Sequence, residues 1–276
     1  MKTKTYRQIL AAMLALVCLF GLAACGGKTE PAAPAATEAA ATAAATEAAP
    51  ATKHFTIASD TVFVPFEYQD ETGTYVGVDV DLLAVIAEDQ GFTYDIKFLG
   101  WDAAIAACQA GQADGMIAGA SIKQERIDNG WIFSDGYFNA SQSMAVAAGS
   151  GITSFADLKG KTVAAKTGTE GATYAESLKD ANGFTITYFE DSATMYQAVL
   201  GGQAVACFED TPVLETNIKV KGLAMEIPDG CTSDGAPYGF AIFNPANQEL
   251  IDLFNAGLKN VQANGKYDEI IAKYFG

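Results

Sequence analysis

The apolar positions of this chain change period repeatedly, and the changes divide it into strands and helices. Phe55-Thr56-Ile57-Ala58-Ser59 reads as a short strand. Val78, Leu82, Val85 and Ile86 then fall on one face of a helix over residues 78–90, which Gly91 closes. Residues 94–99 predict a second strand, 101–110 a second helix and 113–118 a third strand. This β-α-β-α-β order argues for an open α/β sheet with ligands at the carboxyl ends of its strands.

A second run of the same kind begins after residue 150. Residues 154–158 and Gly160 lead to a strand at 162–166, a helix at 169–179, a strand at 185–190, a helix at 192–200 and a strand at 204–208. Each run passes from a helix end through Gly-Gln-Ala into a strand, at Gly111-Gln112-Ala113 and again at Gly202-Gln203-Ala204. Two lobes of like construction follow. The extended runs 143–148 and 238–243 bracket the second lobe, and side by side they would carry the chain across and back. Helices at 248–262 and 267–275 then return to the first lobe, so the second is an insertion on two strands. Such a connection can hinge.

The N-terminus has a different pattern. Lys2, Lys4 and Arg7 precede an uncharged apolar run over residues 9–20, and Leu22-Ala23-Ala24-Cys25 comes next. A basic start, an apolar segment too short to span a bilayer and small residues at a cleavage site read as a secretion signal over residues 1–24. The Leu-Ala-Ala-Cys end resembles the bacterial lipobox, which implies a lipid on Cys25 after cleavage. Residues 25–52 are nearly all Ala, Pro, Thr, Glu and Gly, too poor in large apolar side chains to order themselves, and read as a flexible tether. The folded body would thus be held on the outer side of the cytoplasmic membrane. Its expected divisions are 53–143 for the first lobe, 144–237 for the second and 238–276 for the return.

Composition narrows the function. The 276-residue chain is 50% apolar, enough for sizeable cores, and carries a net charge of −16, which loss of Lys2, Lys4 and Arg7 would make more negative. That balance excludes nucleic acid, whose phosphates need basic surface. Cys18 leaves with the leader and Cys25 is the lipid site. Cys108, Cys207 and Cys231 remain, an odd number without paired spacing, and read as buried free thiols. The one histidine, His54, lies at the tether junction, so a Ser-His-Asp or Cys-His centre is disfavoured and a multi-histidine metal site is excluded. No phosphate loop, metal motif or cofactor motif is present, so no cofactor is implied.

The chemistry concentrates after the third strand of the first run. Gly119 follows Met116-Ile117-Ala118, and Ser121 stands five residues before Arg126. A strand end, a turn and a short helix would bring a backbone carbonyl, a hydroxyl and a guanidinium together. A planar fork of donors beside a hydroxyl suits a carboxylate.

The body resembles the extracellular polar amino-acid binding proteins of ATP-driven importers, the family 3 solute-binding lipoproteins, and is most similar to the glutamine binders among them. The motifs that carry the resemblance are Asp60-Thr61-Val62-Phe63-Val64-Pro65-Phe66-Glu67-Tyr68, Gly77-Val78-Asp79-Val80-Asp81-Leu82, the stretch from Gly119 to Arg126, Phe133-Ser134-Asp135-Gly136-Tyr137, Val163-Ala164-Ala165-Lys166-Thr167-Gly168-Thr169, Glu209-Asp210-Thr211-Pro212 and Asn264-Gly265-Lys266-Tyr267-Asp268-Glu269-Ile270. The resemblance implies a two-lobed periplasmic-binding-protein-like α/β fold, each lobe an open, mostly parallel sheet with flanking helices, joined by two hinge strands. It also implies a monomer that delivers its ligand to a membrane permease of the ABC class.

Carried over residue by residue, the resemblance implies that Arg126 holds the ligand α-carboxylate with the Ser121 hydroxyl and the backbone N–H groups of Thr169 and Glu170. Asp210 would take the α-ammonium with Ser121 and the Gly119 carbonyl. Phe63 and Trp101 would sandwich the aliphatic part, and Asp60 and Lys166 would meet the side-chain end, where one acceptor and one donor suit a primary amide. Asp79 and Asp81 read as a helix N-terminal charge pattern without a ligand role, and Phe66, Phe133 and Tyr137 as packing. The chain departs from the glutamine binders at Glu209, where they carry histidine, and at Glu170, where they carry glycine or a small polar residue. Extra carboxylates favour arginine, lysine or histidine as ligand, and Lys166 opposes this. A sensor without transport, or a dehydratase using Glu170 and Glu209, are the rival readings on this scaffold.

Overall fold

The computed structural model describes residues 52–276; the leader over residues 1–24, Cys25 and the tether up to residue 51 lie outside the described residues. Two five-stranded sheets organise the described chain. The first has the order Thr93–Phe98, His54–Ser59, Gly115–Met116, Ala241–Ile242, Ile132–Phe133, and the second Thr185–Phe189, Thr162–Lys166, Ala206–Asp210, Gln142–Ala147, Met225–Glu226. In each sheet the first three strands are parallel and the last two continue antiparallel. The parallel strands are those of the two β-α-β runs, and the antiparallel ones come from segments that return without a crossover helix.

Helices Val78–Gln90 and Gln248–Ala263 cover the first sheet. They bury Leu82, Leu83, Ile86, Phe254 and Leu258 in one core, at about 1.5–3 kcal/mol per side chain of this size. Ala-rich Trp101–Gln109 packs on the other face beside Met116 and Trp131. The second sheet is covered by Glu170–Asn182 on one side and Ser192–Leu200 on the other, around Phe208 and Met195 respectively. Among the described residues no helix is long and apolar enough to cross a membrane. Cys108, Cys207 and Cys231 are free and buried, and burial pushes the Cys108 thiol up to about 12.

Three expectations need correction. The runs 143–148 and 238–243 do not cross between the sheets, apart from Tyr238 at the start of the second. Gln142–Ala147 lies inside the second sheet with Met144, Ala145 and Val146 fully buried, and Ala241–Ile242 lies inside the first. Runs this apolar belong where both faces are covered. The crossing is a separate ribbon, Phe138–Ala140 paired antiparallel with Ala236–Tyr238. The strand expected at 113–118 pairs only over Gly115–Met116, so the chain leaves the sheet early and turns toward the second lobe. The strand expected at 204–208 is Ala206–Asp210, displaced by its pairing of Phe208 with Met144 and Asp210 with Gln142. A helix that the apolar periodicity does not reveal, Thr211–Lys219, follows at once, with Pro212 in its first turn where a missing N–H costs nothing.

Candidate functional site

The displaced strand puts Glu209 and Asp210 at the carboxyl end of the second sheet, beside Lys166 at the end of Thr162–Lys166. Opposite stand Asp60 and Phe63 after the strand His54–Ser59, Trp101 at the start of its helix, and Gly119, Ser121 and Arg126 after Gly115–Met116. All of these, with Thr169, Glu170 and Ala118, line one cavity of about 20 Å³ between the two sheets. The structure therefore brings together all eleven residues singled out from the sequence, and adds Ala118.

Arg126 is nine-tenths buried in a cage of planar groups. Its Nη1 donates to the Ser121 carbonyl at 3.0 Å and Nη2 to the Gly168 carbonyl at 3.4 Å, with Glu170 Oε1 3.5 Å away. The guanidinium carbon lies 5.2 Å from the Trp101 ring centroid and 5.1 Å from that of Trp131, so an indole lies within cation–π range twice over. Burial draws the Arg126 pKa down while Glu170 and Asp210 draw it up; the group stays charged. Trp131 is not apparent from the sequence. The Asn129-Gly130 turn, with Gly130 at φ 89°, folds it back so that its N–H bonds the Arg126 carbonyl at 3.0 Å.

Lys166, 2% exposed, forms an ion pair and hydrogen bond with Asp60 of the opposite lobe. Burial opposes its charge, but Asp60 and then Glu209 and Glu67 outweigh that and hold its pKa above the ordinary value. Its Nζ also lies 5.7 Å from the Phe63 ring centroid. Glu209 accepts from the Ser192 hydroxyl at 2.6 Å and from the Asp210 N–H at 3.0 Å. Burial first, then the Asp210 charge, pushes its carboxyl up to about 7 against the pull of Lys166. Burial also raises Asp210, against hydrogen bonds from the Tyr238 hydroxyl and from Gln142 Nε2 at 2.8 Å. Gln142 and Tyr238 were not foreseen, because both lie on strands whose course the sequence left open.

Thr169 caps the helix Glu170–Asn182, its Oγ1 accepting from the Ala172 N–H at 3.3 Å. That helix start faces Arg126 across the cleft. Trp101 Nε1 donates to the Gly168 carbonyl at 3.1 Å, a further bond between lobes. Gly119 adopts φ 55°, and a Cβ there would meet Phe63 Cε1 at 2.4 Å, so only glycine fits. Its N–H donates to Asp79 Oδ2 at 2.9 Å. Asp79 stands in the first turn of its helix, as its helix N-terminal pattern implies, and is in addition fully buried against the turn that lines the cavity. Asp81 does lie on the surface side, with Lys273 and Tyr274.

Such an arrangement offers a cation for a carboxylate, an anion for an ammonium, and a second donor–acceptor pair at the far end. Residues 55–276 match the model of the bacterial extracellular solute-binding proteins, family 3. A probable histidine-binding protein of Neisseria gonorrhoeae is 31% identical over 98% of this chain and 96% of that protein. The second substrate-binding domain of Lactococcus lactis GlnP, in its open conformation, is 39% identical over 82% of this chain and 97% of that one, with TM-score 0.58. An ancestral arginine-binding protein bound to glutamine is 32% identical over 81% of this chain and 98% of that one, with TM-score 0.73.

Proposed function

Because the chain belongs to the bacterial extracellular solute-binding proteins, family 3, we propose that its cavity takes a free polar amino acid, L-glutamine first among them, for delivery to an ATP-driven importer. The names of the relatives, a probable histidine-binding protein, a substrate-binding domain of GlnP and an ancestral arginine-binding protein holding glutamine, support the amino-acid class. They are binding proteins, so capture rather than turnover is the expected activity.

The observation that carries the glutamine reading is the buried Lys166–Asp60 pair facing the Arg126–Asp210 end of the same cavity. Arg126 takes the α-carboxylate in place of Glu170, for which Lys123, 3.7 Å away, is a second partner. Asp210 takes the α-ammonium with Ser121 and Gly119. A carboxylate has about four lone-pair sites, and two donors reach Asp210 here. Phe63 and Trp101 flank the aliphatic stem. Lys166 donates to the amide oxygen, and Asp60 and Glu209 accept from the amide nitrogen. A second reading, a basic amino acid, is favoured by Asp60, Glu170, Glu209 and Asp210 outnumbering the two cations in the lining. Against it, a cationic side chain would lie beside Lys166, a cation with 2% exposure.

Capture proceeds by closure. Arg126 belongs to the first lobe and Asp210 to the second, so one zwitterion completes its contacts only when the lobes meet, and it favours the closed form by that difference. The bonds between lobes support reading the present structure as closed on itself, with a cavity of about 20 Å³ that has room for about one water. An amino acid therefore enters when the lobes part and replaces the Lys166–Asp60 and Arg126–Glu170 contacts with its own. Lipid on Cys25 would keep the monomer beside its permease on the outer face of the membrane.

The test is a thermal-shift panel of the common amino acids, cystine and ornithine on protein unfolded and refolded to strip carried-over ligand. Binding stabilises in proportion to the logarithm of ligand over Kd. Glutamine should give the largest shift, lost in Arg126→Ala and Asp210→Ala. A larger shift with arginine or lysine would transfer the assignment to the basic reading, and silence across the panel would sink both.

A further inference from the structure

Behind the cavity, on the side of the first lobe, lies a second polar cluster whose side chains meet the proposed ligand residues through the Gly119 backbone N–H. Asp79 is the second residue of the helix Val78–Gln90, and its N–H bonds the Phe66 carbonyl at 3.0 Å, which fastens the helix start to the turn carrying Glu67. Both carboxyls are fully buried. Asp79 Oδ2 accepts from the Gly119 N–H and from the Tyr137 hydroxyl, each at 2.9 Å. Its Oδ1 and both Glu67 oxygens find no hydrogen-bond donor, and the Asp79–Phe66 backbone bond holds the two buried carboxyls as neighbours.

Two ionised carboxylates cannot occupy such a place unpaired. Because a protonated carboxyl becomes a donor, a single proton between them pairs Asp79 Oδ1 with one Glu67 oxygen and removes one of the two charges, leaving the other Glu67 oxygen as the carbonyl of a neutral acid. The helix start, Gly119 and Tyr137 all favour the anion on Asp79, and nothing comparable serves Glu67. The other charges facing the pair are Asp60, which opposes the Glu67 anion, and Lys166, which favours it from across the cleft. We propose that Glu67 carries the shared proton and donates it to Asp79, and that Asp79 so held is a positioning residue for ligand binding, acting through Gly119. Burial, then the neighbouring Asp79 charge, raises the Glu67 carboxyl well above the usual range, and burial pushes Asp79 up to about 6.

Gly119 is the link to the cavity. Its backbone is left-handed where a Cβ would strike Phe63, and were its N–H free, rotation about the Gly119 φ and ψ bonds would move both the cavity wall and the Gly119 carbonyl offered to the ligand ammonium. An anchored N–H removes that freedom. A binding site held this way loses less order when the ligand arrives.

The proposal rests on the amino-acid reading for its affinity arm only, and its test has a second arm that needs no ligand. In the full chain, carboxyl-detected NMR should show Glu67 holding its proton well above the range where ordinary carboxyls ionise. In Asp79→Asn the new amide donates to Glu67, so Glu67 should titrate lower than in the parent. For L-glutamine, Asp79→Ala should weaken binding by about tenfold or more, a loss typical of an unpaired buried donor. Glu67→Ala should weaken it too, while Glu67→Gln, whose amide keeps a donor toward Asp79, should recover most of the loss. Should Asp79→Ala fail to fold, the Asp79→Asn titration and the Glu67 pair decide. Glu67 titrating in the ordinary range, or a folded Asp79→Ala with parental affinity and an unshifted Gly119 amide, overturns the proposal. If the parent binds no glutamine, the amino-acid reading falls and the two NMR results still judge the proton.

Discussion

Replacing Lys166 by methionine isolates the pair that joins the lobes. The Lys166 and Asp60 side chains are 2% and 5% exposed, so the substitution leaves Asp60 buried in the closed form without its cation. Removing one partner of a buried ion pair costs about 3–5 kcal/mol, because the remaining charge keeps its desolvation penalty. Asp60 regains water when the lobes part, so the cost falls on closure and not on folding of either lobe. At about 1.4 kcal/mol per tenfold, glutamine affinity should drop by roughly two to three and a half powers of ten. The midpoint of unfolding without ligand should move much less. Small-angle scattering should show a larger radius for Lys166→Met at ligand concentrations that close the parent. The double variant Asp60→Asn with Lys166→Met removes the stranded charge and should regain compactness without regaining affinity, since the amide has lost both charged partners. Parental affinity in Lys166→Met, within about threefold, would refute the reasoning, because a pair worth so little could not be a buried latch.

Other perturbations follow from the same geometry. Arg126→Lys keeps the charge but loses the planar fork and its two indole faces, and calorimetry should show affinity weaker by about 1.5–3 kcal/mol. Gly119→Ala places a Cβ 2.4 Å from Phe63 Cε1 at φ 55°, and should lower the thermal midpoint while weakening ligand binding. Asp79 and Glu209, pushed up to about 6 and about 7, and Glu67, raised well above its ordinary value, all hold protons longer when folded. Raised acids subtract stability as pH climbs from their unfolded values through their folded ones, at about 1.4 kcal/mol for each tenfold weakening of the acid. Denaturation between pH 5 and pH 8 should therefore show stability falling with pH, and Glu67→Gln should flatten the slope. A flat profile in the parent would contradict these buried carboxyls.

The β-α-β runs were legible because helix and strand periods alternate cleanly, and the residues that line the cavity were legible through the resemblance, whose motifs stand at strand ends. What stayed hidden depends on pairing over long distances. The crossing ribbon Phe138–Ala140 with Ala236–Tyr238 is shorter and less apolar than the runs beside it, so period alone points to the wrong segments. Trp131 reaches Arg126 through a turn, and Asp79 reaches Gly119 across 40 residues of chain; spacing along the sequence encodes neither. Asp79 also satisfies the rule for an acidic helix start, and that local rule conceals a buried role. The helix Thr211–Lys219 did carry a signal, Pro212 before Val213 and Leu214, but the preceding carboxylates read first as chemistry.

The central claim, one amino acid held end to end between the lobes, is tested most directly by a crystal structure of the protein grown with L-glutamine. The account predicts the α-carboxylate on Arg126 with Glu170 turned away, the α-ammonium on Asp210, and the side-chain amide between Lys166 and Asp60. Glutamine bound in the reverse sense, with its amide at Arg126, or bound outside this cavity, would contradict it.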